Sequence, residues 1–169
     1  MIRRIGVCLF STLLLAGCGS AELKEFVSTE GKFKALFPGK PKEQTQTQAG
    51  ITTKAFGVDQ GGGAYMVSFA DTKVPAKQLQ AEAKQRLDGA RDGSLNASNA
   101  KLVAEKEITL DGHPGRQVDS ELVGKKGFAR TRFYIVGSML YSQIVIGSSR
   151  DFTTSETATK FLDSLALTK

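Results

Sequence analysis

The sequence contains no tryptophan, one histidine and two cysteines in 169 residues. A Ser-His-Asp site needs a histidine held by a third group next to a nucleophile, and nothing around His113 supplies those members. One histidine among dispersed carboxylates is also a poor zinc signature. We therefore predict that His113 is a solvent-facing turn residue. The sequence indicates no catalytic residue, no metal site and no cofactor, and we predict that the protein is not an enzyme.

A strong excess of charge is also missing, because the formal net charge is only +6. Such a mild value does not by itself indicate a nucleic-acid partner. Three consecutive glycines, residues 61–63, lack the lysine and Ser/Thr of a phosphate-binding loop, so they predict a hairpin turn. Four carboxylates at alternate strand positions are interpreted as a charged sheet face with cross-strand pairs rather than as an acid–base site. They are Glu105, Glu107, Asp119 and Glu121.

Long hydrophobic runs are absent as well. The longest apolar run covers residues 5–15, which is too short for the roughly 20 residues of a membrane-spanning helix. Arg3 and Arg4 precede it and small residues follow it, which is the layout of a secretory signal. Residues 14–18, with the sequence LLAGC, resemble the lipobox of bacterial lipoproteins.

That resemblance implies that the thiol of Cys18 receives a diacylglyceryl group and that the chain is cut before it. We expect residues 1–17 to be the signal peptide, residues 18–24 a lipidated tether and residues 25–169 the domain. Gly19 favours export to the outer membrane in bacteria with two membranes. The alternative is an ordinary secretory signal with a chance cysteine. With Cys8 in the discarded signal and Cys18 lipidated, the domain has no thiol for a disulfide or for a thiolate metal site.

The remaining sequence alternates between apolar and polar residues in short runs, which is typical of strands. Residues 76–92 are rich in helix formers after Pro75, and residues 93–99 are predicted to form a loop. From Lys101 the pattern predicts an antiparallel meander. Thr153 and Glu156 match a capping box for a terminal helix. We predict a single α+β domain with a predominantly antiparallel sheet, one mid-chain helix and one C-terminal helix.

The two late hairpins have the most specific turn signals. Taking residues 125–126 as a two-residue turn places Glu121 opposite Arg130 and Asp119 opposite Arg132. Taking residues 137–138 as the next such turn gives a compatible register. Both turns then direct one apolar set inward, consisting of Val118, Leu122, Phe133, Ile135, Leu140, Ile144 and Ile146. The opposite face carries Met139, Tyr134, Tyr141 and Val145 beside its charges, and we expect part of it to be covered by a helix or used for binding.

Several local segments resemble a group of exported bacterial proteins with a PsbP-like fold. The matching segments are residues 31–41, 110–116, 132–137, 140–141 and 161–165. The resemblance implies a central antiparallel sheet with helices on its faces. PsbP is a non-enzymatic accessory subunit of photosystem II, and no functional residue of it can be transferred to this chain.

These observations favour a membrane-anchored, non-catalytic envelope lipoprotein that acts as a binding or assembly-accessory module. Its partners are the membrane, through the covalent lipid, and an unidentified protein or small ligand, but not nucleic acid. The candidate partner surface consists of Tyr134, Tyr141, Arg130 and Arg132. The alternatives are an envelope hydrolase with an unrecognised site and a purely structural surface protein.

Overall fold

The computed structural model describes residues 22–124 and 126–169. The signal segment, the lipobox with Cys18 and the turn residue Lys125 lie outside these residues. The strands are β1 (Lys24–Ser28), β2 (Phe33–Phe37), β3 (Lys42–Gln48), β4 (Ile51–Gln60), β5 (Gly63–Asp71), β6 (Ala100–Leu110), β7 (His113–Leu122), β8 (Gly127–Val136), β9 (Met139–Gly147) and β10 (Ala166–Leu167). The helices are α1 (Ala76–Ala81), α2 (Ala83–Ser98), α3 (Arg150–Thr154) and α4 (Glu156–Asp163).

Two antiparallel sheets dominate the structure. The large sheet has seven strands in the order β3-β4-β5-β9-β8-β7-β6, and the small sheet has the order β1-β2-β10. Strands β3, β4 and β5, and likewise β6 to β9, follow one another as hairpins, so short turns make every one of these pairings antiparallel. The predicted α+β class with a mainly antiparallel sheet is confirmed, but the described residues form four helices and a second sheet in place of the two helices and one sheet expected.

The main core lies between the small sheet and the face of the large sheet that it covers, which we call the small-sheet face. Phe33, Phe37, Val67, Val145 and Phe161 are completely buried there. Several of the rings meet edge to face, as Phe37 and Phe161 do with their centroids 5.1 Å apart. This aromatic layer joins both sheets and α4 into one core.

Helices α1 and α2 pack on the other face of the large sheet, which we call the helix face. Leu79, Ala83 and Leu87 form an apolar stripe along the helices and are buried against the sheet. The predicted single helix is divided at Glu82, and it continues through the predicted loop to Ser98. Asn99 ends it in the left-handed conformation with φ 48°, which asparagine tolerates better than most residues.

The C-terminal region forms two short helices in place of the single predicted one. The side chains of Ser149 and Ser155 cap α3 and α4 by accepting the backbone N–H of Phe152 and Ala158. The predicted capping box at Thr153 and Glu156 is therefore wrong, because Thr153 lies inside α3.

A pair of glycines allows helix α3 to pack closely against the sheet. Gly63 and Gly147 lie opposite each other on β5 and β9, and the ring of Phe152 covers both. A Cβ atom on Gly147 would lie 2.7 Å from Cγ of that ring. The absence of side chains at these two positions thus permits the close approach of α3.

The register of the last hairpin, β8–β9, is confirmed, with Ile135 opposite Leu140 and Thr131 opposite Ile144. The register predicted for β7–β8 is wrong by two residues, because Leu122 pairs with Gly127 across a four-residue loop. Within the described residues, no helix is long and apolar enough to cross a membrane.

Candidate functional site

The two tyrosines of the predicted partner surface are core residues. Tyr134 and Tyr141 lie opposite each other on β8 and β9, and each is 3% exposed. The hydroxyl of Tyr141 donates a hydrogen bond of 2.8 Å to the carbonyl oxygen of Gly31, in the turn between β1 and β2. Burial raises the pKa of both phenols. The tyrosine half of the predicted surface is therefore wrong, because the small sheet lies over it.

Arg132 serves mainly to hold α4. It forms one row across three strands with Gln117 and Gln143 on the small-sheet face. Its Nε donates to Oε1 of Gln117 at 3.0 Å, and its Nη1 donates to the carbonyl oxygen of Leu162 at 2.8 Å. The amide nitrogen of Gln143 donates to the carbonyl oxygen of Phe161. This row satisfies the last carbonyls of α4, where a cation also complements the helix dipole.

Arg130 lies one row away and forms a two-pronged ion pair with Asp119. Its Nε and a terminal nitrogen donate to the two carboxylate oxygens at 2.7 and 2.8 Å. These bonds raise the pKa of Arg130. The pair lies beside a cavity of about 290 Å³ to which α3 contributes Arg150. The guanidinium of Arg150 lies 5.4 Å from the ring centroid of Phe128, so this cavity contains an aromatic face and a cation.

The predicted cross-strand ion pairs form for two of the four carboxylates, but the prediction of one charged face is wrong, because Asp119 lies on the small-sheet face and Glu105 on the helix face. Asp119 pairs with Arg130, and Glu105 pairs with Arg91 at 2.9 Å and with Arg116 at 3.3 Å. Arg116 is 5% exposed and also contacts Asp88 of α2. Both carboxylates are thus paired with arginines, and Glu105 also helps to attach α2 to the sheet through Arg91. Within residues 22–124 and 126–169, no group of three or more metal-ligating side chains is clustered.

An apolar surface that includes Ile144 and Ile146, two residues of the predicted inward set, lies on the helix face. Helices α1 and α2 pack over β6, β7 and β8 and reach β9 at Leu140, and among the described residues no helix makes an extensive contact with β4 or β5. Two neighbouring rows of residues, each paired across adjacent strands, remain half-buried there. One row contains Gly57, Met66 and Ile144, and the other contains Ala64 and Ile146. We call this surface the open sheet face, and it comprises Ala55, Gly57, Ala64, Met66, Ala129, Ile144 and Ile146.

The open sheet face is a candidate docking surface, because contiguous exposed apolar patches on soluble domains commonly mark interaction sites. Ile144 and Ile146 are on the predicted face, but the structure leaves them partly exposed. A signal for the site was present in β5, where Ala64 and Met66 alternate with the apolar Tyr65 and Val67. A strand with apolar side chains on both faces must pack against another structural element on each face.

The sequence matches no family model, and no curated protein matches it. Among solved structures, cyanobacterial PsbP (CyanoP) from Synechocystis aligns with a TM-score of 0.58 at 15% sequence identity, covering 96% of this chain and 98% of that chain. A protein of unknown function from Pseudomonas aeruginosa aligns with a TM-score of 0.47 at 17% identity, covering 82% of this chain and 91% of that one. The likeness to CyanoP shows that the described domain has a PsbP-like fold.

Proposed function

We propose that this chain is a non-catalytic accessory lipoprotein of the bacterial cell envelope, anchored through lipid on Cys18, that binds a partner protein through the open sheet face. The observation that carries the proposal is the LLAGC segment behind an apolar run that is too short to span a bilayer. Gly19 directs the proposal towards the outer membrane in bacteria that have two. A PsbP-like fold is compatible with such a role, since it provides a rigid two-sheet body with surfaces on several sides.

The partner surface is argued from packing. The helix face is one continuous antiparallel sheet, and α1 and α2 cover its β6–β8 half. The small residues Ala55, Gly57 and Ala64 leave a flat surface beside the larger Met66 and Ile144. An amphipathic helix of a partner would bury these side chains in the same way that α1 and α2 bury the adjoining half.

The anchor is tested by the intact mass of the mature protein extracted from membranes. We expect cleavage before Cys18 and the added mass of a diacylglyceryl group. A Cys18→Ser variant should lose that mass and leave the membrane fraction. An unlipidated wild-type protein in the soluble fraction would refute the proposal.

The partner surface is tested by photo-crosslinking in intact cells, with a photoreactive amino acid at position 66 or 144. Position 46, which lies on the same face on the exposed edge strand β3, provides the matched control. We expect one discrete adduct from positions 66 and 144 that is weak or absent from position 46. Its loss in an Ile146→Lys variant that remains folded would assign the adduct to the open sheet face. Equal labelling from all three positions would contradict that assignment.

A further inference from the structure

The chain enters the domain at one defined end of the two sheets. Strand β1 begins at Lys24 opposite Phe37, and only a short connection separates Phe37 from Lys42 at the start of β3. Along the large sheet, the same end contains the β4–β5 turn, the start of α3 and the loop between β7 and β8. We call it the tether end.

The tether limits which surface of the domain can reach the membrane. From Cys18 to Lys24 a fully extended chain spans about 20 Å. Strands of the large sheet such as β7, with 10 residues, are about 33 Å long. A lipid on Cys18 therefore keeps the tether end within about 20 Å of the bilayer surface, but the tether alone leaves the domain free to tilt.

Exposed basic side chains are grouped at the tether end. Five of them have no carboxylate oxygen within 4.0 Å of their side-chain nitrogens among the described residues, and they are Lys40, Lys42, Lys101, Lys126 and Arg150. Lys24 adds a sixth base, which pairs with Glu22 at 3.8 Å. The carboxylates at this end are Glu22, Glu25, Glu43, Asp59, Glu121 and Asp151. The first three pair with lysines, namely Lys24, Lys34 and Lys54. Five bases without an ion pair therefore outnumber three such carboxylates among the described residues, and the surface carries a net positive charge.

Two of these lysines line a cavity with apolar walls. The cavity has a volume of about 700 Å³ and lies between the start of β6 and the β7–β8 loop. Lys101 and Lys126 border it together with Leu122, Val123 and Phe128, and one carboxylate, that of Glu121 opposite Lys101, also lines it. Val123 is 42% exposed, so a large apolar side chain projects beside the two ammonium groups. This combination fits the phosphate and the adjacent glycerol region of a phospholipid.

We propose that the tether end binds anionic phospholipid headgroups of the membrane that carries the lipid anchor. The covalent lipid supplies attachment, and the basic surface fixes the orientation of the domain on the bilayer. The open sheet face is then held at a constant angle to the membrane. This inference rests on the proposed function, because it requires the anchor at Cys18.

The test uses the full lipidated protein in vesicles and compares two labelled positions. Lipidation blocks Cys18, so a fluorophore can be attached to a single new cysteine in Val123→Cys or, at the opposite end, in Gln48→Cys. The vesicles contain phosphatidylcholine alone or a two-to-one mixture of phosphatidylcholine and phosphatidylglycerol. Quenching by a lipid with a headgroup-level nitroxide reports contact of each label with the bilayer.

We expect stronger quenching at position 123 than at position 48, and only in the vesicles with phosphatidylglycerol. High salt should reduce it, because it shortens the Debye length. Replacement of Lys101 and Lys126 by glutamine should lower the ratio of docked to undocked protein by about fivefold per lysine, which corresponds to about 1 kcal/mol for each basic charge removed. Replacement of Lys32 and Lys77 by glutamine, at the other end of the domain, should leave the ratio unchanged.

Equal quenching at both positions in a protein that carries the lipid mass would overturn this inference alone. Quenching that does not depend on phosphatidylglycerol would do the same, as would equal effects of the two lysine pairs. A protein without the lipid mass would overturn the proposed function together with the inference. Intact-mass measurement before reconstitution separates the two results.

Discussion

Replacement of Arg132 by alanine is expected to destabilise the protein far more than replacement of Arg130, although both arginines lie on β8 and face the same side. The side chain of Arg132 is 16% exposed and that of Arg130 is 23% exposed. Arg132→Ala removes donors from the carbonyl oxygen of Leu162 and from Oε1 of Gln117, a residue that is 6% exposed. Each buried acceptor left without a partner costs about 1–3 kcal/mol, so the expected loss is about 3–4 kcal/mol.

Arg130→Ala removes only an ion pair whose carboxylate, on Asp119, is 26% exposed and can be hydrated. The expected loss is about 1 kcal/mol or less. Urea unfolding followed by circular dichroism measures both values. Arg132→Lys should fall between the two, because it retains the charge but not the planar fork. Equal losses for the two alanine variants would refute the view that Arg132 holds α4 in place.

Three other changes have defined outcomes. Gly147→Ala should reduce the free energy of unfolding by about 1–3 kcal/mol, because the new methyl group collides with Phe152. Gly93→Ala, in α2 with nothing within 4 Å of the added atom, should instead raise it by about 0.5–1 kcal/mol in the same urea assay. Burial raises the pKa of Tyr65, Tyr134 and Tyr141 above 10.0, and these are the only tyrosines. As the pH rises, these phenols lose their protons in the unfolded chain before they do so in the folded protein. The free energy of unfolding should therefore be unaffected below pH 10 and should fall as the pH rises further. Ultraviolet titration of the folded protein measures the phenol pKa values, urea unfolding at alkaline pH measures the stability, and phenols that titrate at their ordinary pKa in the folded protein would contradict the burial.

The two late hairpins show which features of the fold were predictable. The Gly137-Ser138 turn is a tight glycine-first turn, and its register was predicted correctly. For β7–β8 the true loop has two more residues than predicted, which moves Asp119 from Arg132 to Arg130. A shift of two residues leaves every side chain on its original face. The hydrophobic pattern therefore could not distinguish the two registers.

The errors in the helices have a different cause. Gly93 favoured a loop because glycine weakens a helix by about 1 kcal/mol. In the structure Gly89 and Gly93 face open space, and burial of Leu79 and Leu87 on the other side of the helices offsets that cost. Likewise, the pattern showed that Tyr134 and Tyr141 lie opposite the helix face, but not that β1 and β2 return over them. That contact joins segments more than 100 residues apart, as between Tyr141 and Gly31.

The candidate site could be predicted only in part, because its contacts also join segments that are far apart in the sequence. Arg130 and Arg132 are correctly placed on one face of β8, yet their partners lie on β7 and on α4. The open sheet face depends on which strands α1 and α2 cover, and no sequence motif indicates that. Only the anchor at Cys18 rests on a local sequence signal alone.

The position of β1 has a mechanical consequence for an anchored protein. If the lipid on Cys18 remains in the bilayer while a partner pulls on the body, the load enters through Lys24 and runs along β1. All five residues of this strand are paired with β2, from Lys24 opposite Phe37 to Ser28 opposite Phe33. The pull is then resisted in shear, by all these pairs together, rather than by peeling them apart one at a time. In this arrangement the short edge strand β1 can transmit force from the lipid anchor to the domain without unpairing one residue at a time.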